Sequence, residues 1–248
     1  MLHHESGLTP FMIAVRENRL SIVERLLELG VNLSDQTKPK VQLPVHYAAL
    51  RPIGAVGVMQ MLLKASHKDA RLSQDQDGRT PLLLAVEAGN LGVCKELLST
   101  HAEAQLSARE KRYGDTVLHA SCRKRDVEVT KILVEYGAVV DCQNDEGQTP
   151  LHVAAWEGDE ALLKFFHHCK ANPNVADKMD RSPLHIAAER GHTNVVELLM
   201  EKFHSNVLAR TKDGSTLMHV ASEHGHPDTA LAFLKKGVLL HMPNKGMV

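Results

Sequence analysis

Histidine has the most chemistry to offer in this chain: sixteen occur among 248 residues. Imidazole nitrogens hold zinc where three or four donors converge, and the densest group of donors is His167-His168-Cys169. Consecutive residues on a helix point in different directions, so this triplet cannot close around an ion unaided. No metal site is expected from it, and no cofactor. His46, His119, His152, His185 and His219 instead occupy one recurring offset, which marks a structural role. The chain carries no glycine-rich phosphate loop, no H-E-x-x-H and no G-x-S-x-G, the spacings that metal-assisted or nucleophilic catalysis needs. Its carboxylates are scattered, with no pocket to shift their pKa values, so no enzyme is expected. Two features could hold a macromolecule. One is the basic cluster Arg109, Lys111, Arg112, Arg123, Lys124 and Arg125, which suits an acidic partner. Glu110, Asp115, Asp126 and Glu128 lie among these cations and offset part of their field. The other is Trp156, the only tryptophan, which is either a binding hot spot or packed on a neighbouring helix.

These residues sit on a repeating frame. Thr149-Pro150-Leu151-His152 stands intact, and Ser182-Pro183-Leu184-His185 almost so. Worn copies begin at Thr9, Leu43, Thr80, Thr116 and Thr216, giving intervals of 34, 37, 36, 33, 33 and 34 residues. In the unit from Asp145 to Asp177, Asp145-Glu146-Gly147 supplies a turn, with Gly147 free to take positive φ. Thr149 is placed to cap a helix, and Pro150 suits its first turn. Leu151, Ala154 and Ala155 give it a short apolar face, and Gly158 closes it. A second helix carries Leu162, Leu163, Phe165 and Phe166 at helical spacing. Neither helix can bury its apolar side alone; stacking on the next unit does so. Gly89, Gly191 and Gly225 repeat the closing glycine, and Asn18 is a tolerable substitute. Arg125 is a poorer one, so strain is expected there, and Asp180 in place of the finger glycine is a similar departure.

A period near 33 with this signature resembles the ankyrin repeat, a turn followed by two antiparallel helices. The resemblance implies an all-α solenoid of seven helix-turn-helix repeats with β-turn or hairpin fingers. Residues 1–248 then form a single array, with repeats starting near 7, 41, 78, 114, 147, 180 and 214. In that family the motif histidine bridges the cap residue to neighbouring backbone, and His192 and His226 occupy the structural Gly-His position. Ankyrin modules bind through their fingers and the exposed end of each first helix. Here those ends are Arg16/Glu17, Leu50/Arg51, Glu87/Ala88, Arg123/Lys124, Trp156/Glu157, Glu189/Arg190 and Glu223/His224. Trp156, Arg123, Lys124, Arg112 and Arg190 are the candidate partner-binding residues.

The formal net charge is −1, which does not point to nucleic acid or a membrane surface. Cys94, Cys122, Cys142 and Cys169 fall at four different repeat offsets without a C-x-x-C, as reduced cysteines of a cytosolic protein do. No stretch approaches the ~20 apolar residues of a membrane span, and Met1–Glu5 lacks the features of a signal peptide. A cytoplasmic location is expected. Leu20, Ile22, Val23, Leu26 and Leu27 keep the first repeat as apolar as an internal one, and Gly237-Val238-Leu239-Leu240 begins another finger. Both ends therefore read as incomplete, and Leu239, Leu240 and Met242 as an association liability if exposed.

Three strings resemble the early repeats of one family, the TRPN or no-mechanoreceptor-potential-C mechanosensitive cation channels. They are Leu8 to Arg16, the insertion Leu50 to Gly57, and Thr116 to Arg125. That resemblance implies a cytoplasmic tether to microtubules, on the cytoplasmic side of a plasma-membrane channel oligomer and without a membrane segment of its own. The alternative is a stand-alone cytosolic ankyrin adaptor that binds another protein. An accessory region of an enzyme would need a catalytic domain beyond this chain.

Overall fold

In the computed structural model, residues 7–38, 40–66, 70–238 and 243–244 are described. Leu239, Leu240 and Met242 lie outside them. The chain divides into two compact units, Met1–Ala138 and Val139–Val248.

In the first unit the helices are α1 (Pro10–Arg16), α2 (Leu20–Glu28), α3 (Pro44–Ala49), α4 (Val56–Ala65), α5 (Pro81–Ala88), α6 (Leu91–Leu98), α7 (Ala102–Ser107), α8 (Val117–Arg123) and α9 (Val127–Glu135). In the second they are α10 (Pro150–Glu157), α11 (Glu160–His168), α12 (Pro183–Arg190), α13 (Thr193–Glu201), α14 (Leu217–Glu223) and α15 (Pro227–Lys235). Most of them form antiparallel pairs, and the pairs stack in two rows. First helices pack as α1–α3–α5–α8 and as α10–α12–α14; second helices pack as α2–α4–α6–α9 and as α11–α13–α15. Burial follows the rows. Met12, Leu82, Leu84 and Leu118 are buried on first helices of the first unit, and Met59, Leu62, Leu97 and Leu133 on its second helices. Leu151, Phe166 and Phe233 are enclosed in the second unit. Removing each such side chain from water contributes about 1.5–3 kcal/mol, available only once the next pair has docked.

The cap prediction holds in detail. At α10, the Thr149 N–H and hydroxyl donate to His152 Nδ1 at 3.1 and 2.9 Å, and His152 Nε2 donates to the Arg181 carbonyl at 3.0 Å. Leu43 has no side-chain acceptor, yet its N–H still donates to His46 Nδ1 at 3.0 Å, and His46 Nε2 donates to the Ser73 carbonyl. The expected strain is also present: Arg125 has φ +56° and Asp180 φ +57°, the left-handed conformation that glycine takes elsewhere.

The hairpin fingers expected from the sequence do not form: the described residues contain no β-strand. Each finger is instead a turn folded around one side chain. Asp177 Oδ1 accepts the N–H groups of Met179 and Arg181, both at 2.9 Å, and Asn144 Oδ1 does the same for Glu146 and Gln148. Asp75 takes the N–H groups of Asp77 and Arg79. The donors that a paired strand would satisfy are thus already occupied. One backbone bond reaches from finger to finger, such as Lys111 N–H to Asp77 O or Lys178 N–H to Glu146 O. A ladder needs a succession of them.

Two connections depart from the repeat. Between α6 and α8 the chain makes the additional helix α7, anchored by fully buried Gln105, whose Nε2 donates to the carbonyls of Leu97 and Thr100 at 2.7 and 2.8 Å. Between α3 and α4 the insertion forms a loop from Arg51 to Ala55. Asn90, at the head of α6, donates from Nδ2 to the Arg51 and Gly54 carbonyls at 2.7 and 3.0 Å. Ile53, at its tip, is 83% exposed.

Candidate functional site

The first helices α5, α8, α10 and α12 divide their residues in the same way. In α10 residues 150–155 are buried, Trp156 is exposed and Glu157 is half-buried. In α12 residues 183–188 are buried, and Arg190 is exposed beyond a half-buried Glu189. In α8 residues 117–122 are buried, and Arg123 and Lys124 are exposed. Residues that keep their type from repeat to repeat lie inside, and the positions that vary lie outside.

In the second unit two candidates come together. The Arg190 guanidinium carbon lies 4.4 Å from the centroid of the Trp156 ring. The alternative of a packed Trp156 is only partly realised: the residue remains 38% exposed. Its backbone is fixed by His192, whose Nε2 donates to the Trp156 carbonyl at 2.9 Å. Arg181, on the finger before α12, is fully engaged, with Nε and NH2 on Asp177 Oδ2 and NH1 3.0 Å from Glu189. Met179, at the tip of that finger, is 54% exposed.

In the first unit Arg112 and Arg123 converge on Tyr113, their guanidinium carbons 4.8 and 5.6 Å from its ring centroid. Arg123 also pairs with Asp115 at 2.7 Å. Glu110 is turned inward onto its own finger, accepting the N–H groups of Arg112 and Tyr113. A cavity of about 560 Å³ lies here, lined by residues of two fingers together with Leu83 and Glu87 of α5 and Ala120 and Arg123 of α8. Arg79 meets Asp75, Asp77 and Glu87 in it. Burial pushes Glu87 upward despite Arg79 and Lys124. Asp75 is held below the usual carboxylate range: its burial is outweighed by hydrogen bonds from Arg79 and Gln42. Lys124 is exposed and bears on Glu87 only through its charge.

Tyr113 and Met179 were not among the residues singled out from sequence. Both lie on fingers, and an aromatic or large apolar residue at a fingertip is the signal that could have marked them. The basic cluster is dispersed in function: Arg123 is tied to Asp115, Arg109 NH1 donates to the Gly114 carbonyl at 3.0 Å, and Arg112 stacks on Tyr113. Among the described residues no group of three or more His, Cys, Asp or Glu is placed to hold a metal ion. His167 Nε2 donates to the Lys202 carbonyl, with the ring edge-on to Phe203. A second cavity of about 670 Å³, between Leu27, Val31, Leu43 and Ala65, has no charged side chain among its described lining residues.

A family model described as ankyrin repeats in three copies matches residues 11–109, 45–144, 101–177 and 151–243. The chain belongs to the ankyrin-repeat family. The ankyrin domain of Bcl-3, described as a member of the IkappaB protein family, superposes with a TM-score of 0.78 at 25% identity, over 93% of this chain and 100% of that one. Neurogenic locus notch homolog protein 1 of Xenopus laevis is 33% identical over 205 residues, 81% of this chain but 8% of that protein. The probable 26S proteasome regulatory subunit p28 of Saccharomyces cerevisiae is 31% identical over 78% of this chain and 85% of its own length. The nuclear factor NF-kappa-B p105 subunit of Gallus gallus is 30% identical over 67% of this chain. The chain thus spans under a tenth of the Notch relatives it matches. As an ankyrin array it is a non-catalytic protein–protein interaction module. Among the described residues no helix is long and apolar enough to cross a membrane. None of these matches ties the chain to a channel or to microtubules.

Proposed function

We propose that this ankyrin array is a cytosolic scaffold that holds another protein against its fingers and the exposed ends of its first helices. The observation that carries this reading is the division within α5, α8, α10 and α12, where six buried positions fix the stack and the next two differ from repeat to repeat. A surface that varies over a constant frame is what recognition requires. Four cysteines without a disulfide suit the reducing compartment. Trp156, Arg190, Arg112, Arg123 and Lys124 are the proposed contact residues. Photo-crosslinking amino acids at positions 123, 156 and 190, with position 164 on α11 as control, test the proposal. Adducts to one common protein from the first three positions and none from 164 are expected. Adducts only from 164, or none at all, overturn it.

A second reading is the tether of a mechanosensitive TRPN-type channel. What favours it is the insertion, a built loop held by Asn90 and not a slack excursion, within one of the strings that carry that resemblance. Charge reversal at Arg123 and Lys124 should then weaken co-sedimentation with microtubules. Unchanged co-sedimentation across a salt series excludes that contact, and the scaffold reading is unaffected.

A further inference from the structure

We infer that the Trp156–Arg190 pair is a reader of carboxylates, so that the partner of this scaffold presents an acidic segment to α10 and α12. The inference rests on the scaffold reading and adds the chemistry of what is bound. Arg190 is exposed, and its guanidinium lies over the indole at 4.4 Å. A guanidinium that lies over a ring by its face keeps the five N–H donors of its rigid fork for a second partner. Among the described residues no carboxylate stands within ion-pair distance of that fork. The natural competitor, Glu189, is held at 3.0 Å by Arg181, which Asp177 holds in turn. Glu157 and Glu223, at the ends of α10 and α14, form no ion pair with Arg190. A planar cation with its donors vacant, held over an indole, matches a carboxylate in the two-point geometry that an ammonium group cannot reproduce.

The site is also rigid beneath. His192 Nε2 fixes the Trp156 carbonyl, and residues 150–155 and 183–188 are buried on both helices that carry the pair. The backbone that carries the pair is thus fixed before binding, which favours affinity. The first unit contains the same combination separately, Arg112 over Tyr113 at 4.8 Å with Tyr113 40% exposed.

Trp156 is the only tryptophan, so fluorescence excited beyond the tyrosine absorption band reports on this site alone. The experiment is a titration of the whole chain with a short oligoglutamate peptide, acetylated and amidated, against an oligoglutamine peptide of equal length. A saturable change with the acidic peptide only is expected, weakening steeply with salt. In Arg190→Gln the apparent affinity should fall about tenfold, and Arg190→Lys should recover only part of it, because one point charge replaces a fork. Melting temperature should be unchanged in both, since the side chain lies outside the core. An acidic peptide that leaves the fluorescence of the unaltered chain unchanged overturns the inference. So does an Arg190→Gln titration identical to the original, or full recovery by Arg190→Lys. A silent titration alongside crosslinks from positions 123, 156 and 190 removes the carboxylate chemistry and leaves the scaffold standing; absence of those crosslinks removes the scaffold.

Discussion

The His192 ring occupies the space beside Gly158: a Cβ built on the glycine would stand 2.8 Å from the imidazole, while His192 Nε2 donates to the Trp156 carbonyl at 2.9 Å. The glycine is therefore required twice, by its φ of +67° and by the neighbour that leans on it. Gly158→Ala should destabilise the fold by about 1–3 kcal/mol. Gly225 has the same backbone, with φ +71°, but no described residue within 4 Å of its Cβ position, so Gly225→Ala should lose only the conformational part. Urea denaturation of both variants, of His192→Ala and of Gly158→Ala/His192→Ala separates the two causes. The double variant should recover the steric part, and an additive double variant would show that the ring is not what the Cβ meets.

The finger carboxylates should be as important as core residues. The Asp177 side chain is 2% exposed and serves two backbone N–H groups and Arg181. Asp177→Ala should cost about 3 kcal/mol, because buried donors and a cation lose their partner together. Asp177→Asn should cost less, since Asn144 already performs the backbone part in the preceding finger. Equal losses in the two variants would place the whole effect in the Arg181 pair.

Acid should loosen the second unit through His185. Burial lowers its pKa from 6.5 to about 4. Its Nδ1 accepts from the Ser182 N–H at 3.2 Å and the Ser182 hydroxyl at 2.9 Å, so a proton there would displace both. The folded pKa lies below the unfolded one, so the unfolded chain binds more protons between these values, and stability is lost as pH falls from 6.5 towards 4. The loss attributable to this group is about 3 kcal/mol, levelling off below that range. Denaturation midpoints measured across that pH interval should flatten in His185→Gln. An unaltered slope in that variant would assign the acid sensitivity elsewhere.

Thiol reactivity should divide the cysteines. Cys94 and Cys122 are buried, and desolvation pushes the Cys94 thiol up to about 12. Cys142 and Cys169 are partly exposed. Iodoacetamide on the native chain, read by peptide mass, should modify Cys142 and Cys169 and leave Cys94 intact until denaturant is added. Early labelling of Cys94 would contradict the packing of α6.

The helix pairs were legible because their determinants are local: Thr149, Pro150 and Gly158 announce α10 whatever surrounds it, and Arg125 betrayed its strained backbone by standing where glycine belongs. The fingers were misread as hairpins because turn-forming residues look alike in both cases. What decides is whether Asp75, Asn144 and Asp177 turn their side chains inward to take the backbone donors, and no spacing reports that. α7 went unseen because its polar anchor is a single glutamine, buried against carbonyls of α6 and of the turn that follows it. Trp156 and Arg190 were both singled out, but their pairing was not, since they stand 34 positions apart in the chain and meet only when α10 and α12 are stacked.

Asn90 shows how a departure in one repeat is written into another. At the corresponding place Asp126 and Asp159 cap their own helices, whereas His192 and His226 reach back to the carbonyls of Trp156 and Glu189. An amide has both an acceptor and donors, and Asn90 uses both: Oδ1 takes the Val93 N–H while Nδ2 holds Arg51 and Gly54. The inserted loop and this one residue in the following repeat are thus structurally coupled. Exchange of either by recombination, without the other, would strand two carbonyls or leave an amide with nothing to grip.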